Sequence, residues 1–145
     1  MKKLYGLLVK VALVFCASFL VVVAGCGGDG SSLAGTKWIM TAYLADGSMQ
    51  DALSTTSVDA TFADGTVGGA GGCNQYNGSY ELDGDSLTVG MLASTQMACE
   101  QAILDQELAY MTALQSAASY KIDESTLTIL DGSGATVLEF QVAEG

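Results

Sequence analysis

The chain has 145 residues, with 16 acidic and 5 basic side chains and a net charge of −11 at neutral pH. Phosphate backbones attract proteins through lysine and arginine, so this charge excludes nucleic acid as a partner. The chain also lacks histidine and arginine, which removes the commonest general base and a common anion clamp, so we expect neither an enzyme nor a cofactor.

The first 25 residues are predicted to be an export signal. Lys2 and Lys3 precede an apolar segment, residues 7–23, which ends in small residues before a cysteine. The sequence VAGC at 23–26 resembles a lipobox, in which the thiol of Cys26 is acylated, commonly with palmitate, and becomes the mature N-terminus. The alternative is an uncleaved signal anchor.

Cleavage before Cys26 leaves a flexible glycine- and serine-rich tether, residues 26–32, and one domain, residues 33–145. Several acyl chains on one residue would hold the protein firmly in a membrane. We therefore expect an exported lipoprotein anchored to the cell membrane or the outer membrane, with its domain facing the periplasm or the exterior. We interpret the acidity of this domain as a source of solubility rather than as a sign of a cationic partner.

Alternating apolar residues predict about eight short antiparallel strands along the domain. The chain has no proline, and four Asp-Gly pairs, at 46–47, 64–65, 83–84 and 131–132, mark tight turns. The opening strand carries the single tryptophan, Trp38, and residues 119–142 contain three consecutive strands. The residues predicted to face inward are Val58, Ala60, Phe62, Tyr80, Leu82, Leu87, Val89, Ile122, Leu127, Ile129, Leu138, Phe140 and Val142.

Residues 99–117 change to the 3.6-residue period of an amphipathic helix. One predicted row contains Leu104, Leu108, Met111 and Gln115, and the row beside it contains Ile103, Glu107, Tyr110 and Leu114. Glu100 is expected in the first turn, and Asp105, Gln106 and Glu107 on or near the solvent-facing side. One helix among these strands predicts a mainly β (α+β) fold, an antiparallel curled sheet or partly open barrel with the helix over an end or a face.

The glycine-rich segment GGAGGCNQYNGSYELDG, residues 68–84, could bind a phosphate or a metal, or form a turn. A phosphate loop needs a following helix, whereas here a strand follows and no Gly-Lys-Ser/Thr is present. A zinc site needs further cysteine or histidine ligands, and the sequence DGDS at 83–86 lacks the spacing of a calcium loop. We therefore expect a turn, with no metal.

Two cysteines, Cys73 and Cys99, remain for an exported chain once the signal is removed and Cys26 is acylated. A disulfide between them would connect the glycine-rich segment to the start of the helix. Redox catalysis is the alternative, but the two residues do not form a CxxC and nothing nearby would lower a thiol pKa. We predict a structural disulfide.

Several segments in order resemble the META domain, a family that includes the HslJ-like heat-inducible envelope lipoproteins. They are LAGTKW (33–38), FADGTVGGAGGCNQYNGSY (62–80), LTVG (87–90), STQMAC (94–99), ELAYMTAL (107–114), YKIDESTLTIL (120–130) and LEF (138–140). The resemblance implies a lipocalin-like barrel with one helix, a loose link to envelope stress or antibiotic tolerance, and no catalytic activity. Gln75 departs from the family, whose members often carry a basic residue there, and this weakens the idea of a shared charged site.

The function predicted from these features is a non-catalytic, monomeric binding or interaction module that contacts an envelope protein. A tyrosine among amides offers contact area and hydrogen bonds at low entropic cost. The candidate contact surface is therefore Asn74, Gln75, Tyr76 and Asn77, although the same residues would also suit turn geometry alone.

The alternative function is a carrier for a small apolar ligand or a lipid, held in a cavity inside the barrel. The cavity would be lined by Trp38, Phe62, Tyr80 and Phe140. In a domain of this size the same aromatic side chains would otherwise fill the core.

Overall fold

The computed structural model describes residues 31–144. The predicted signal peptide, Cys26 and the tether up to residue 30 lie outside the described residues. The elements are β1 (Lys37–Ala45), β2 (Ser48–Asp51), β3 (Asp59–Ala63), β4 (Thr66–Ala70), β5 (Gln75–Asp83), β6 (Ser86–Ser94), α1 (Gln101–Gln115), β7 (Ala117–Asp123), β8 (Thr126–Asp131) and β9 (Thr136–Val142).

Eight of these strands form a closed antiparallel barrel. Strand β1 and strands β3 to β9 follow one another around the sheet, and β9 returns to pair with β1, with Trp38 opposite Val142. Strand β2 is an additional strand, paired with the second half of β1, with Tyr43 opposite Gln50. The mainly β fold with one helix is confirmed, and the barrel is closed rather than partly open because β1 and β9 satisfy each other's edges.

Two of the predicted Asp-Gly turns have the backbone that a two-residue hairpin needs. Asp46 and Gly47 have φ of 50° and 76°, and Asp64 and Gly65 have φ of 50° and 75°. Positive φ at both positions is the type I′ geometry, whose twist matches that of paired strands. These turns join β1 to β2 and β3 to β4.

The antiparallel order gives the barrel two different ends. One end, which we call the helix end, contains α1, the Asp46-Gly47 turn, the glycine-rich loop 71–74 and the turn 132–135. The other, the turn end, contains the tight turns after β3, β5 and β7. The segment before β1 also lies at the turn end, where Ala34 bridges to Phe62 and the N–H of Gly35 donates to the Phe62 carbonyl at 2.8 Å.

The barrel interior is filled by large apolar side chains. The four aromatic residues predicted for a ligand cavity lie in this core, with Phe62 and Tyr80 packed edge to face at 5.2 Å between ring centroids. They are Trp38, Phe62, Tyr80 and Phe140. The predicted inward positions are buried or packed against the core, except Leu82, which is 41% exposed beside the turn between β5 and β6.

The helix packs on the barrel through the second predicted row, in which Glu107, Tyr110 and Leu114 are buried, and not through the row of Leu108. It begins at Gln101, so Glu100 is the N-cap residue rather than part of the first turn. The prediction that Gln106 and Glu107 lie on or near the solvent-facing side was wrong, because both are buried, and Leu108 is 70% exposed. Both polar side chains can be buried because each accepts hydrogen bonds from backbone N–H groups of the barrel and its loops.

Candidate functional site

A disulfide joins the glycine-rich loop to the segment that leads into the helix. Cys73 and Cys99 are bonded, with their Cα atoms 6.2 Å apart. Cys73 lies two residues before β5, and Cys99 lies two residues before α1. The structure therefore has the disulfide predicted from the sequence, at the helix end of the barrel.

The buried carboxylate of Glu107 holds the helix to the same loop. Its Oε2 accepts from the backbone N–H of Cys73 at 3.0 Å and of Asn74 at 2.7 Å, and its Oε1 accepts from Nδ2 of Asn74 at 2.6 Å. Three donors around one carboxylate offset the cost of burying it. We call this arrangement, Glu107 with Cys73 and Asn74, the helix clasp.

Asn74 extends the clasp to the segment after β6. Its Oδ1 accepts from the N–H of Met97 at 2.6 Å and from the hydroxyl of Thr95 at 3.0 Å. The side chain of Asn74 thus connects the helix on one side with residues 95–97 on the other. Each polar atom of its side chain has a partner inside the protein, which identifies Asn74 as a structural residue.

Gly71 is required where the loop passes the clasp. A Cβ built at Gly71 would lie 2.7 Å from Oε2 of Glu107, whereas a Cβ at Gly132 would meet nothing within 4 Å. We expect Gly71→Ala to lower the free energy of unfolding by about 1–3 kcal/mol through overpacking. Gly132→Ala is the matched control and should change it by less than about 0.5 kcal/mol in urea titrations. Equal effects of the two substitutions would contradict the close contact.

Two tyrosines, Tyr76 and Tyr110, form a pair in the core, close in sequence to the residues of the clasp. The hydroxyls of Tyr76 and Tyr110 are 2.5 Å apart, and the Tyr76 hydroxyl donates to the backbone carbonyl of Asp59 at 3.0 Å. Because that donation uses the Tyr76 proton, Tyr110 donates to Tyr76. Burial raises the pKa of both hydroxyls well above their usual value of 10.0, and for Tyr110 the neighbouring Tyr76 raises it further.

These pKa shifts predict a loss of stability at high pH. Below pH 10 both states keep their phenol protons and the full stability is present. Above pH 10 the unfolded chain releases protons that the folded chain retains, so the free energy of unfolding falls by about 1.4 kcal/mol per pH unit for each tyrosine. Tyr76→Phe or Tyr110→Phe should each remove about half of this slope in urea titrations at pH 10 to 11.5, and an unchanged slope in both variants would contradict the assignment.

The predicted contact surface is only partly at the surface. Asn74 and Tyr76 are buried, in the clasp and in the tyrosine pair, whereas Gln75 and Asn77 are exposed on β5. The alternation of strand β5 explains the difference, since neighbouring side chains point to opposite faces. Gln75 and Asn77 line a shallow depression of about 290 Å³.

A larger open groove, of about 930 Å³, lies beside the helix at the same end of the barrel. One wall is formed by α1, and the others by the β1–β2 hairpin and by residues at the facing ends of β8 and β9. We call it the helix groove. Its lining residues are Tyr43, Leu44, Ala45, Asp46, Gln50, Leu53, Ala102, Asp105, Gln106, Leu108, Ala109, Thr112, Ala113, Ser116, Asp131 and Val137.

Gln106 is the unusual residue of the helix groove. It is 1% exposed, and its Oε1 accepts from the N–H of Leu53, another lining residue, at 2.7 Å. This bond to a backbone donor fixes which end of the amide is oxygen. Its Nε2 is buried without a hydrogen-bond partner, the one such side-chain atom within residues 31–144. Buried donors normally have a hydrogen-bond acceptor, and Nε2 of Gln106 has none.

The charged residues of the groove are all acidic. They are Asp46, Asp105 and Asp131, and neither lysine of the described chain, Lys37 or Lys121, is among the lining residues. Hydrogen bonds from the Ser133 hydroxyl and from backbone N–H groups lower the pKa of Asp131, so it is ionised at neutral pH. The groove therefore combines apolar walls, negative charge and one buried donor.

The described chain has few other charged pairs or clusters that could form a site. Lys37 forms an ion pair with Asp59, with Nζ 3.2 Å from Oδ2. Across residues 31–144 no group of three or more histidine, cysteine, aspartate or glutamate side chains comes together to hold a metal. Over the same range no helix has the length and apolar character needed to cross a membrane.

The groove was not predicted because Gln106, its unusual residue, was expected on or near the solvent-facing side of the helix but is buried. Gln106 and Glu107 precede Tyr110 by four and three positions, and so share its face. A polar pair on the row of a core tyrosine was the available signal. The acidic lining residues Asp46, Asp105 and Asp131 are far apart in sequence, and no local pattern links them.

Two solved structures are similar to this chain. One is described as an NMR structure of the protein from Burkholderia xenovorans, with a TM-score of 0.66 and 27% identity, over 78% of this chain and 85% of that one. The other, an NMR structure of a protein, has a TM-score of 0.56 and 18% identity, over 74% of this chain and 88% of that one, and it shows the fold alone.

No protein with a curated description matches the chain. The family model of the META domain matches residues 31–144, which is the whole of the described barrel with its helix. That family is not a known enzyme family. The matched range, together with the eight-stranded barrel and its single helix, shows that this chain belongs to the META domain family.

Proposed function

We propose that this chain is a non-catalytic lipoprotein of the cell envelope that acts as a monomeric binding module, with the helix groove as its contact surface. The observation that carries the proposal is Nε2 of Gln106, a buried donor without an acceptor in the wall of an open groove. A partner whose acceptor reaches Nε2 would remove the cost of leaving this donor unpaired. A role in envelope stress or antibiotic tolerance is part of the proposal.

The exposed apolar side chain of Leu108 supports the same surface. It lies on the solvent-facing side of α1, is 70% exposed, and lines the groove. An exposed leucine at the rim of a groove adds apolar area that a partner can bury, at about 25 cal/mol per Å². The depression at Gln75 and Asn77 is about a third as large and has no unpaired buried group in its wall.

The point at which the chain enters the barrel and the helix groove lie at opposite ends of the barrel. The segment before β1 enters at the turn end, and the groove lies at the helix end. A lipid on Cys26 would thus hold the barrel by the end remote from the groove, leaving the groove accessible to a partner. The mass of the exported protein tests the anchor: an acylated N-terminal Cys26 is expected, and an unprocessed chain would contradict it.

Site-specific photocrosslinking in cells tests the contact surface. A photoreactive amino acid is placed at Leu108, at Asn77 or at Asp123, which are exposed in the groove rim, on β5 and at the turn end. We expect one discrete adduct from position 108 and none from positions 77 and 123. Adducts from position 77 alone, or equal adducts from all three, would reject the groove as the contact surface.

A further inference from the structure

We propose that the helix groove binds a peptide segment that combines basic and apolar side chains. This inference rests on the proposed function, and it names the chemistry of the partner. Three properties of the groove must be matched at once: the unpaired donor of Gln106, the acidic lining residues, and the apolar lining residues.

The donor requires an acceptor oxygen in the ligand. A backbone carbonyl supplies one, whereas a protonated polyamine carries only donors and would leave Nε2 of Gln106 unpaired. The bond between Oε1 of Gln106 and the N–H of Leu53, at 2.7 Å, holds the amide in place, so a carbonyl that reaches Nε2 needs only a shift of the side chains that cover this buried atom.

The acidic residues require positive charge. Asp46, Asp105 and Asp131 line the groove without a lysine among the lining residues, so a fatty acid or an anionic lipid headgroup would be repelled. Lysine or arginine side chains would be attracted to the same rim. The net negative charge of the whole chain does not point to one kind of partner. The three aspartates of the groove do, because they lie beside a buried donor that needs an acceptor.

The apolar residues require an apolar surface on the ligand. Leu44, Leu53, Ala109 and Val137 line the groove, and Leu108 is exposed at its rim. A peptide with basic and apolar side chains supplies this surface together with the positive charge and the carbonyl oxygen. Pockets of this kind use apolar contacts for affinity and a few polar groups for orientation.

The test uses the full-length protein in nanodiscs of zwitterionic lipid and two eight-residue photoreactive peptides, one alternating lysine with leucine and one alternating glutamate with leucine. Adducts are mapped by mass spectrometry after digestion at aspartate. We expect the lysine–leucine peptide to attach within residues 101–116 or 43–53, with an occupancy that falls as salt is raised, and the glutamate–leucine peptide not to attach there.

The variants use matched charge changes. Asp46→Asn with Asp105→Asn removes two rim charges, and Asp83→Asn with Asp123→Asn removes two exposed charges at the turn end. We expect the first pair to raise the half-saturating concentration of the lysine–leucine peptide roughly tenfold and the second pair to leave it within about twofold. Gln106→Met, which removes the donor, should raise it by roughly fivefold.

Three results would overturn the inference: no attachment of the lysine–leucine peptide in the groove, equal attachment of the acidic peptide, or equal effects of the two double variants. The proposed function fails separately. If position 108 forms its discrete adduct in cells while the lysine–leucine peptide does not attach in the groove, the groove remains a contact surface for a different chemistry. If position 108 forms no adduct, the contact surface itself is rejected.

Discussion

Glu107→Gln is expected to lower the free energy of unfolding by about 2–4 kcal/mol, because it removes the carboxylate on which the helix clasp depends. An amide can keep an oxygen toward the N–H groups of Cys73 and Asn74, but its NH₂ then faces Nδ2 of Asn74. Turning the Asn74 amide would relieve that clash. The turn would leave the N–H of Met97 and the hydroxyl of Thr95 without the acceptor they now share.

Asp105→Asn is the matched control for this substitution. It makes the same change from carboxylate to amide two positions earlier in α1, at an exposed side chain that accepts from Nε2 of Gln101 at 2.7 Å. Urea titration of both variants should show a change of less than about 0.5 kcal/mol for Asp105→Asn. Similar changes in the two variants would mean that the clasp contributes nothing specific.

Loss of the disulfide is the second large effect. Replacing Cys73 and Cys99 by serine should lower the free energy of unfolding by about 3–4 kcal/mol, because the unfolded chain regains the freedom that a link across 26 positions removes. The measurement is urea unfolding of the exported protein and of the double variant under non-reducing conditions.

A reductant provides the control for the disulfide. It should lower the stability of the unchanged protein by about the same amount and leave the double variant unaffected. Free thiols at both positions in the exported protein, or no difference between the two proteins before reduction, would contradict the structural role of the bond.

The sequence was sufficient to predict the strands and their turns, because each depends on local pattern. Asp64-Gly65 appears between two alternating segments, and the structure has a hairpin there with positive φ at both residues. Closure of the barrel was not predictable in the same way. It depends on pairing between β1 and β9, with Met40 opposite Phe140, a contact between residues one hundred positions apart.

Apolar periodicity predicted only part of the orientation of the helix, since Tyr110 and Leu114 are buried as one predicted row requires. Leu108 is exposed while Gln106 and Glu107 are buried, because the barrel presents the backbone N–H groups of Leu53, Cys73 and Asn74 to these two polar side chains. Hydrogen-bond partners of this kind come from loops that have no pattern of their own. The disulfide was predictable because the prediction depended only on counting cysteines. It correctly connected the glycine-rich segment to the start of the helix.

The side-chain amide of Gln106 gives the most direct test of the helix groove as the binding site. In the full-length protein with ¹⁵N-labelled glutamine, its NH₂ resonances can be assigned by their loss in Gln106→Met. On addition of the lysine–leucine peptide, we expect these resonances to move while those of Gln75 on β5 and Gln141 on β9 stay in place. Movement of the Gln75 resonances with those of Gln106 unchanged would contradict the groove as the contact surface.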